Sequence, residues 1–463
     1  MNRLALLQVD VEEITDVLGA SAPRESGCFL LLREGRGAQG HRFLAVDPIL
    51  PPPDAWEAQR LGQLRPSARW VSATISRAVE AGAGLLFVHS HPDPGHPLGF
   101  SPSDRSAILA LAETIGPILD GLFAAAVVHP TGWAATVAVD GELDPIERIV
   151  AVGRTLRVLS PPAPAPRRRA TDIPALDDRQ RDALGIVHEL LRELDVAVVG
   201  VGGLGSPVAE QLVRMGVRTV TIVDPDVLDT PSNVRRVFGS TVADLHAAMP
   251  PLKVDVVGRH LDQLGLTDPV RRVRGDVSWE SVFRQLLDVD VVISGTDTHG
   301  SRAVINDLAS AYLLPVIDVG VQAGAKRNGD LAALVAEVRV LTPATPCLWC
   351  RKSISADVIR AENLPAEQRA RLVQEGYLVG GVGEPAPSVV ALTVLGAGLA
   401  ACALLALLSG EGDVCPAGYI IDGLMGDSIE TQPTEPVPTC RCRQRIGTGD
   451  TQPPPLLADD LDL

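Results

Sequence analysis

The chain has no excess of basic residues and no long run of lysine or arginine. Its 463 residues include 41 Lys and Arg against 57 Asp and Glu, which gives a formal net charge of -16. Nucleic acids and anionic membranes are bound through positively charged surfaces. The composition therefore argues against both partners and favours a small-molecule or protein substrate.

The start of the chain lacks the features of a secretory signal. The segment MNRLALLQVDVEEI has one early arginine and a very short apolar run that acidic residues follow directly. We therefore expect a cytoplasmic protein.

The seven cysteines include two close pairs, Cys347 with Cys350 and Cys440 with Cys442. In a reducing compartment such pairs favour metal ligation over a disulfide framework.

The length of the chain predicts two or three domains, because it exceeds one ordinary hydrophobic core. Residues 160–175 concentrate proline and three consecutive arginines without apolar periodicity, which predicts a linker over residues 156–176. No internal repeat is evident. The acidic, proline-rich end, residues 448–463, predicts a disordered tail.

The two sides of this linker differ in their apolar pattern. Residues 1–155 contain the apolar runs CFLLL, FLAV, GLLFV, FAAAVV and WAATVAV, with helical stretches near residues 67–81 and 104–115. This pattern predicts an α+β domain. In residues 177–447 the runs DVAVVG, TVTIVD, VDVVIS and LPVIDVG alternate with helical segments, which predicts an α/β domain with a doubly wound sheet.

One apolar run, residues 389–408, is long enough to cross a bilayer. Its flanks carry no Lys, Arg, Trp or Tyr anchors, and small residues dominate its middle. These features favour a helix packed inside the protein, with membrane insertion as the alternative that length alone allows.

The first domain brings two imidazoles, a hydroxyl and a carboxylate close together in sequence, in HSH (His89 and His91) and SPSD (Ser101 and Asp104). Side chains alternate along a strand, so an HxH pair that ends the run GLLFV directs both rings to one side. With Asp104 as third ligand, a tetrahedral zinc would keep one position for water, as catalytic zinc does. The alternative is that Asp104 only caps a helix.

A zinc-bound water also needs a base, and Glu25 in APRESGC, just before CFLLL, supplies a carboxylate. Glu25, HSHP and SxxD in this order resemble the JAB/MPN/Mov34 (JAMM) metalloproteases over residues 1–155. Members of that family are zinc hydrolases that cut peptide or isopeptide bonds after the C-termini of ubiquitin-like proteins. The resemblance implies zinc on His89, His91 and Asp104, Glu25 as general acid/base, and Ser101 as the oxyanion stabiliser.

The second domain opens on a glycine-rich loop, GVGGLG, between a buried strand and a helix. Its glycines are Gly200, Gly202, Gly203 and Gly205. Such a loop lets backbone amides and the helix dipole approach phosphate. The spacing also fits a dinucleotide-binding domain, with Asp224 at the end of TVTIVD as a ribose contact. The loop alone leaves both alternatives open.

The motifs after this loop do not belong to a dehydrogenase. They are DPDVLDTPSNVRRVF, PLKVD, SGTDTHGSRAVIN, CLWC and CRC. Their order resembles the E1/MoeB/ThiF family, Rossmann-like enzymes that adenylate the C-termini of ubiquitin-like or sulfur-carrier proteins. The resemblance implies ATP contacts from the four glycines, Asp224, Ser232, Asn233, Arg236 and Lys253, and magnesium on Asp297. It also implies that Arg179, in DRQ, reaches the nucleotide of a partner subunit, so we expect a homodimer.

Adenylation joins two anions, a carboxylate and the α-phosphate of ATP. Arg236, Lys253 and a magnesium ion on Asp297 would neutralise their repulsion.

The resemblance also assigns a structural zinc to four thiolates, Cys347, Cys350, Cys440 and Cys442, although one residue separates the second pair where two are usual. Redox pairing of Cys347 with Cys350 is the alternative.

Many members of this family carry a nucleophilic cysteine in the loop after CxxC, but residues 351–387 contain none. We therefore expect direct transfer of the activated carboxylate to a partner, such as an E2-like acceptor. An oxyester on Ser353, Ser355 or Ser388 is the alternative, although a serine needs a base.

Together the two domains predict a bifunctional enzyme of a ubiquitin-like system. The zinc domain would mature or remove a modifier, as a deubiquitinase does, and the second domain would activate the C-terminal glycine of that modifier. One alternative places both activities in sulfur-carrier metabolism, with thiocarboxylate as the product. Another makes one half an inactive binding scaffold.

Overall fold

The structure, a computed structural model, describes residues 1–60, 62–161, 175–326, 328–375, 387–410, 418–430 and 433–460. The chain divides into two compact units. The first contains the described residues up to 161 together with Ala311–Leu313 and Arg445–Pro453. The second contains the other described residues from 175 onward.

The first unit is built on a nine-stranded sheet with the order β11-β10-β1-β3-β2-β6-β7-β8-β9, and β4 and β5 form a separate hairpin. Its elements are β1 (Arg3–Leu7), α1 (Gln8–Gly19), β2 (Gly27–Arg36), β3 (His41–Ile49), β4 (Trp56–Arg60), β5 (Gln63–Pro66), α2 (Ala68–Glu80), β6 (Gly84–Ser90), α3 (Pro102–Ile115), β7 (Phe123–His129), β8 (Gly132–Val139), β9 (Glu142–Ile146), β10 (Arg148–Val152) and β11 (Leu156–Val158).

Strand β6 is buried along its whole length, and its side chains alternate between two cores. Leu86 and Val88 pack with the buried face of α1. Leu85 and Phe87 pack with residues of α2 and α3 on the opposite face. The strands and the two helices predicted for this half are therefore confirmed, and the HxH motif continues the face that carries α2 and α3.

The second unit is built on an eight-stranded sheet with the order β14-β13-β12-β15-β16-β17-β18-β19. Its elements are α4 (Asp178–Leu184), α5 (Ile186–Leu191), β12 (Asp195–Val199), α6 (Gly205–Arg214), β13 (Thr219–Val223), α7 (Lys253–Leu264), β14 (Arg271–Val273), α8 (Glu280–Leu286), β15 (Val291–Ser294), α9 (His299–Ala311), β16 (Val316–Ala325), β17 (Leu331–Leu341), α10 (Ala356–Glu362), α11 (Ala366–Gln374), α12 (Val390–Leu408), β18 (Gly418–Asp422) and β19 (Asp427–Glu430).

The first half of this sheet is parallel, as the buried apolar strands predict. Strand β12 pairs in parallel with β13 on one side and with β15 on the other. The chain order therefore reverses between β12 and β15, and in doubly wound sheets ligands bind outside the carboxyl ends of the strands at that point. The glycine-rich loop follows β12 at this edge.

Helix α12 covers the apolar run that the sequence predicts as a buried helix. It is long and apolar enough to cross a membrane by length and composition, and 50% of its most apolar window is buried. It packs against α6, β16 and β17. However, Val394 and Leu395 on its other face are 40% and 37% exposed. The prediction of burial is therefore correct for one face only.

The predicted linker and tail differ from the structure where it describes them. Leu156–Val158 forms a strand that pairs with β10, so the first sheet continues into the predicted linker. Residues 162–174 of that linker and residues 461–463 of the tail lie outside the described residues. The remaining tail is structured, because Ala458 exchanges backbone hydrogen bonds with Ser278 and Glu280 at 2.9 and 3.0 Å.

Candidate functional sites

The end of β6 and the start of α3 bring His89, His91 and Asp104 together. Nε2 of His89 lies 3.7 Å from Oδ1 of Asp104, and Nε2 of His91 lies 3.4 Å from Oδ2. One ligand atom from each residue lies within 4.8 Å of the others. Asp104 also completes a capping box with Ser101, whose amide donates to Oδ2 at 2.7 Å. Its helix-capping role is therefore compatible with metal binding.

The electrostatics of these three residues suit a divalent cation. His89 is 4% exposed, and neither ring nitrogen has a hydrogen-bond partner in the described part of the chain. Burial lowers the pKa of His89 to about 4, so the imidazole is neutral, the form that binds metals. Burial opposes ionisation of Asp104, but hydrogen bonds from His91 and Ser101 bring its pKa below the ordinary value. The hydrogen bond with Asp104 raises the pKa of His91, so a zinc ion binding there would displace a proton from that ring. Two imidazoles and one carboxylate could then hold zinc.

Strand pairing places Glu25 beside this trio. Gly27 of β2 pairs with His89 of β6, and the amide of Ser90 donates to the carbonyl of Ser26 at 2.9 Å. Continuing this antiparallel register sets Glu25 opposite His91. Burial raises the pKa of Glu25, and the nearby His91 opposes that rise. A carboxylate with a raised pKa suits proton transfer near neutral pH.

Ser101 and two unpredicted groups complete the surroundings of this site. The Ser101 hydroxyl accepts from the Asp104 amide at 3.2 Å and lies 2.8 Å from the Ser103 hydroxyl. The Gly62 amide and the Gln59 side chain, from the β4–β5 hairpin, donate to Glu25. Sequence reasoning missed both groups, since no motif marks them and they lie 37 and 34 residues from Glu25.

The glycine-rich loop turns sharply between β12 and α6. Gly200 has a φ of 82°, a region that favours glycine. A Cβ on Gly205 would collide with the carbonyl oxygen of Gly200. Gly295, which follows β15, also lies against Gly200. The loop and the start of the segment that carries Asp297 therefore share the crevice between β12 and β15.

Asp224 fixes this loop from the end of β13. Its carboxylate is buried and accepts hydrogen bonds from the amides of Val201 and Asp226 at 2.8 and 2.9 Å. Burial raises the pKa of Asp224, and the charge of Lys253 opposes the rise. Lys253, the first residue of α7, lies 2.6 Å from Oδ2 of Asp226. Asp224 and Lys253, both predicted nucleotide contacts, therefore lie near each other beside the glycine-rich loop.

Arg236 lies directly over the glycine-rich loop. Its Cβ is 3.0 Å from the position that a Cβ on Gly203 would take. Its guanidinium donates to Oδ1 of buried Asn233 at 3.0 Å. Asp297 is exposed two residues after Gly295. The structure therefore groups most of the predicted nucleotide contacts.

Two predicted nucleotide contacts stand apart from this group. Ser232 is exposed, and Arg179 is exposed on α4. Neither makes a hydrogen bond to the glycine-rich loop within the described chain. Their predicted roles therefore depend on the bound nucleotide and on a partner subunit.

The four predicted cysteines form one cluster. The Sγ atom of Cys347 lies 3.6 Å from those of Cys350 and Cys440, and Cys350 lies 3.8 Å from Cys442. A tetrahedral site with zinc–sulfur bonds of about 2.3 Å has sulfur–sulfur edges of about 3.8 Å. A disulfide would need about 2.05 Å. The CxC spacing fits because its two cysteines contact different cysteines of CxxC.

Backbone amides and protonation both suit a metal at this cluster. The amides of Cys350 and Val437 donate to sulfur at 3.4 Å. The hydrogen bond with Cys442 and burial raise the pKa of Cys347, and burial raises that of Cys440 to about 11. Four thiolates packed this closely would need a cation to offset their charge, and four sulfur donors are a set that zinc can accept.

We expect Cys350→Ser to lower the melting temperature of the second unit by about 10 °C, since losing one zinc ligand costs several kcal/mol. Excess chelator should do the same to the wild-type chain. Differential scanning calorimetry measures both effects. Cys402→Ser is the control, because Cys402 is exposed and lies outside the cluster. Equal melting temperatures for the two variants would exclude a structural metal.

Comparison with known proteins bears on the second unit. The sequence model of the ThiF family matches residues 178–442. The chain is 33% identical over 147 residues to the adenylyltransferase and sulfurtransferase UBA4 of Meyerozyma guilliermondii, covering 31% of the chain and 32% of that protein. It is 29% identical over 160 residues to the sulfur carrier protein ThiS adenylyltransferase of Bacillus subtilis, covering 35% and 44%.

A solved structure of E. coli MccB with succinimide is also similar, at 16% identity and a TM-score of 0.40, covering 55% of this chain and 68% of that one. The chain spans 32% and 44% of the lengths of the two curated relatives.

Proposed function

The chain belongs to the ThiF family, and we propose that its second unit adenylates the C-terminal glycine of a ubiquitin-like or sulfur-carrier protein with ATP. The observation that carries this proposal is the position of Arg236 over the glycine-rich loop. An arginine there faces the place where backbone amides would hold the phosphates of ATP.

In the proposed reaction a carboxylate oxygen of the terminal glycine attacks the α-phosphorus of ATP. A bond from oxygen to the α-phosphorus forms, the bond from the α-phosphorus to the bridging oxygen breaks, and pyrophosphate leaves. Arg236 and Lys253 would balance the charge that develops on the phosphates. Asp224 would hold the loop and the ribose. Asp297 would hold magnesium, which would supply positive charge beside the phosphates.

We propose that the activated carboxylate passes directly to a partner, such as an E2-like acceptor or a sulfur donor. Residues 351–387 contain no cysteine, and residues 376–386, which include Tyr377, lie outside the described residues. Ser353, Ser355 and Ser388 are the alternative acceptors. Relatives named for sulfur transfer favour sulfur-carrier metabolism as the second candidate function.

Intact mass spectrometry with ATP, magnesium and a carrier tests this transfer. We expect the carrier to gain the mass of an adenylyl group, AMP less one water, while this chain keeps its own mass, because a serine hydroxyl attacks only when a general base activates it. A control reaction omits ATP. A stable carrier adduct on this chain would contradict direct transfer, and Ser353→Ala, Ser355→Ala and Ser388→Ala would then identify the acceptor.

For the first unit we propose a zinc peptidase that cleaves after the C-terminus of the same carrier. The geometry of His89, His91 and Asp104, with Glu25 alongside, supports this proposal. His89, His91 and Asp104 would hold zinc, which would supply Lewis-acid activation of water. The water oxygen would bond to the scissile carbonyl carbon and the carbon–nitrogen bond would break, while Glu25 carries a proton from the water to the leaving amine. Ser101 would donate to the oxygen of the scissile carbonyl.

The two proposed activities fit one substrate, since cleavage exposes the terminus that adenylation consumes. We further propose a cytoplasmic homodimer in which Arg179 completes the nucleotide site of the other subunit. Two complete donor sets, one in each unit, weigh against an inactive scaffold as the role of either half. The net charge of -16 favours a protein partner over nucleic acid or an anionic membrane.

A further inference from the structure

The chain is poor in Phe, Trp and Tyr, yet five of these residues and His89 form one string of six rings in the first unit. The chain has 7 Phe, 5 Trp and 3 Tyr in all. Centroids of neighbouring rings in the string lie 4.9 to 6.1 Å apart. In order of contact the rings are Trp56, Trp70, Phe29, Phe87, His89 and Phe100. The string therefore joins the β4–β5 hairpin, through Trp56, to a proposed zinc ligand.

The same hairpin contacts Glu25 at two points. The Gln59 side-chain amide of β4 donates to the Glu25 carbonyl oxygen at 3.0 Å. The Gly62 amide, in the hairpin turn, donates to Oε1 of Glu25 at 3.2 Å. One contact holds the backbone of Glu25 and the other holds its carboxylate.

Nothing else in the described chain forms a hydrogen bond with Glu25. Strand β2 begins at Gly27, so Glu25 lies just outside the sheet ladder. The hydrogen bonds with Ser90 end at Ser26. The strand register thus sets the backbone of Glu25 opposite His91, and the hairpin supplies the hydrogen bonds to its carbonyl and carboxylate.

We propose that Gln59 is a positioning residue for Glu25, and that the β4–β5 hairpin, held by the aromatic string, sets this carboxylate against the metal-binding trio. The inference rests on the proposed hydrolase function of the first unit. Misplacing a catalytic group by about 1 Å lowers a rate by about a hundredfold, so a contact that acts only through Glu25 has a measurable effect.

The test uses the zinc-loaded full-length chain and three hairpin variants. Gln59→Met removes the donor at similar size, and Gln59→Lys keeps a donor of similar reach. Gln63→Met is the matched control, because Gln63 lies exposed on β5 of the same hairpin and makes no hydrogen bond from its side chain in the described structure. Glu25→Ala removes the carboxylate that accepts from the Gly62 amide and keeps the carbonyl oxygen that accepts from Gln59.

Amide hydrogen exchange of residues 56–66 is the readout that needs no substrate. We expect Gln59→Met and Glu25→Ala each to speed exchange there by about fivefold, because each breaks one of the two hydrogen bonds between the hairpin and Glu25. Gln63→Met and Gln59→Lys should match the wild type. Wild-type exchange in both Gln59→Met and Glu25→Ala would overturn the proposal.

Cleavage of a linear fusion of a glycine-ending carrier to green fluorescent protein is the second readout. Gln59→Met should lower kcat by about tenfold at unchanged KM and zinc content, and Gln59→Lys should restore it. A kcat equal to that of Gln63→Met would overturn the proposal while leaving the hydrolase in place. If the wild-type chain cleaves no fusion, the hydrolase proposal fails and hydrogen exchange alone decides the role of the hairpin.

Discussion

Arg236→Ala is expected to lower carrier-dependent ATP–pyrophosphate exchange by about a thousandfold. The arginine lies over the glycine-rich loop, and its guanidinium is oriented by the side chain of buried Asn233. A positioned charge of this kind stabilises the negative charge that develops in the transition state, and removing one such donor costs about a hundred- to a thousandfold. Arg236→Lys should recover part of the rate, since it keeps the charge and loses the fork geometry.

Arg235→Ala is the matched control for this variant. Arg235 is adjacent in sequence and exposed, and it makes no hydrogen bond to the loop in the described structure. Its exchange rate should stay within about twofold of the wild type, and thermal melting should show that both variants are folded. Similar rates for Arg235→Ala and Arg236→Ala would remove Arg236 from the proposed nucleotide site.

Glu25→Gln is expected to lower cleavage of a carrier fusion by about a thousandfold. Glutamine keeps the size of the side chain and its contacts with the hairpin but cannot accept a proton from water, and general-base catalysis contributes about a hundred- to ten-thousandfold. Zinc content should stay at the wild-type level, because Glu25 is not among the three grouped ligands. Kinetics of fusion cleavage together with metal analysis of the purified chain measure both quantities.

Two control variants accompany this experiment, His91→Ala at a proposed zinc ligand and Glu113→Gln at a surface position. His91→Ala should lose both zinc and cleavage, whereas Glu113→Gln, on the exposed surface of α3, should change neither. If Glu25→Gln also loses zinc, the glutamate acts in metal binding. If it retains full cleavage, proton transfer through Glu25 is wrong.

The sequence predicts those parts of the fold in which local pattern and packing agree. Strand β6 is a short apolar run, and its HxH ending places two rings on one face by alternation alone. The sequence also predicts the glycine-rich loop, because the tight turn at Gly200 requires glycine. The cysteine cluster joins segments about 90 residues apart, and the preference of paired thiolates for zinc makes that distant contact predictable.

Tertiary contacts that correspond to no motif or periodicity in the sequence could not be predicted from it. Residues 56–66 lack a clear alternation, and the hairpin is held by tertiary contact between Trp56 and Trp70. Its donation to Glu25 depends on that packing. Composition predicts a disordered tail, but Ala458 forms backbone hydrogen bonds with Ser278 and Glu280. The exposed face of α12 is as apolar as its buried face, so composition could not separate the two.

Carrier-dependent ATP–pyrophosphate exchange tests the central claim most directly. The full-length chain is incubated with ATP, magnesium, labelled pyrophosphate and a panel of small ubiquitin-like and sulfur-carrier proteins that end in glycine. We predict that at least one carrier stimulates exchange, and that removing its terminal glycine abolishes the stimulation. No stimulation by any carrier, or equal stimulation by the truncated one, would contradict the proposal that this chain activates a protein C-terminus.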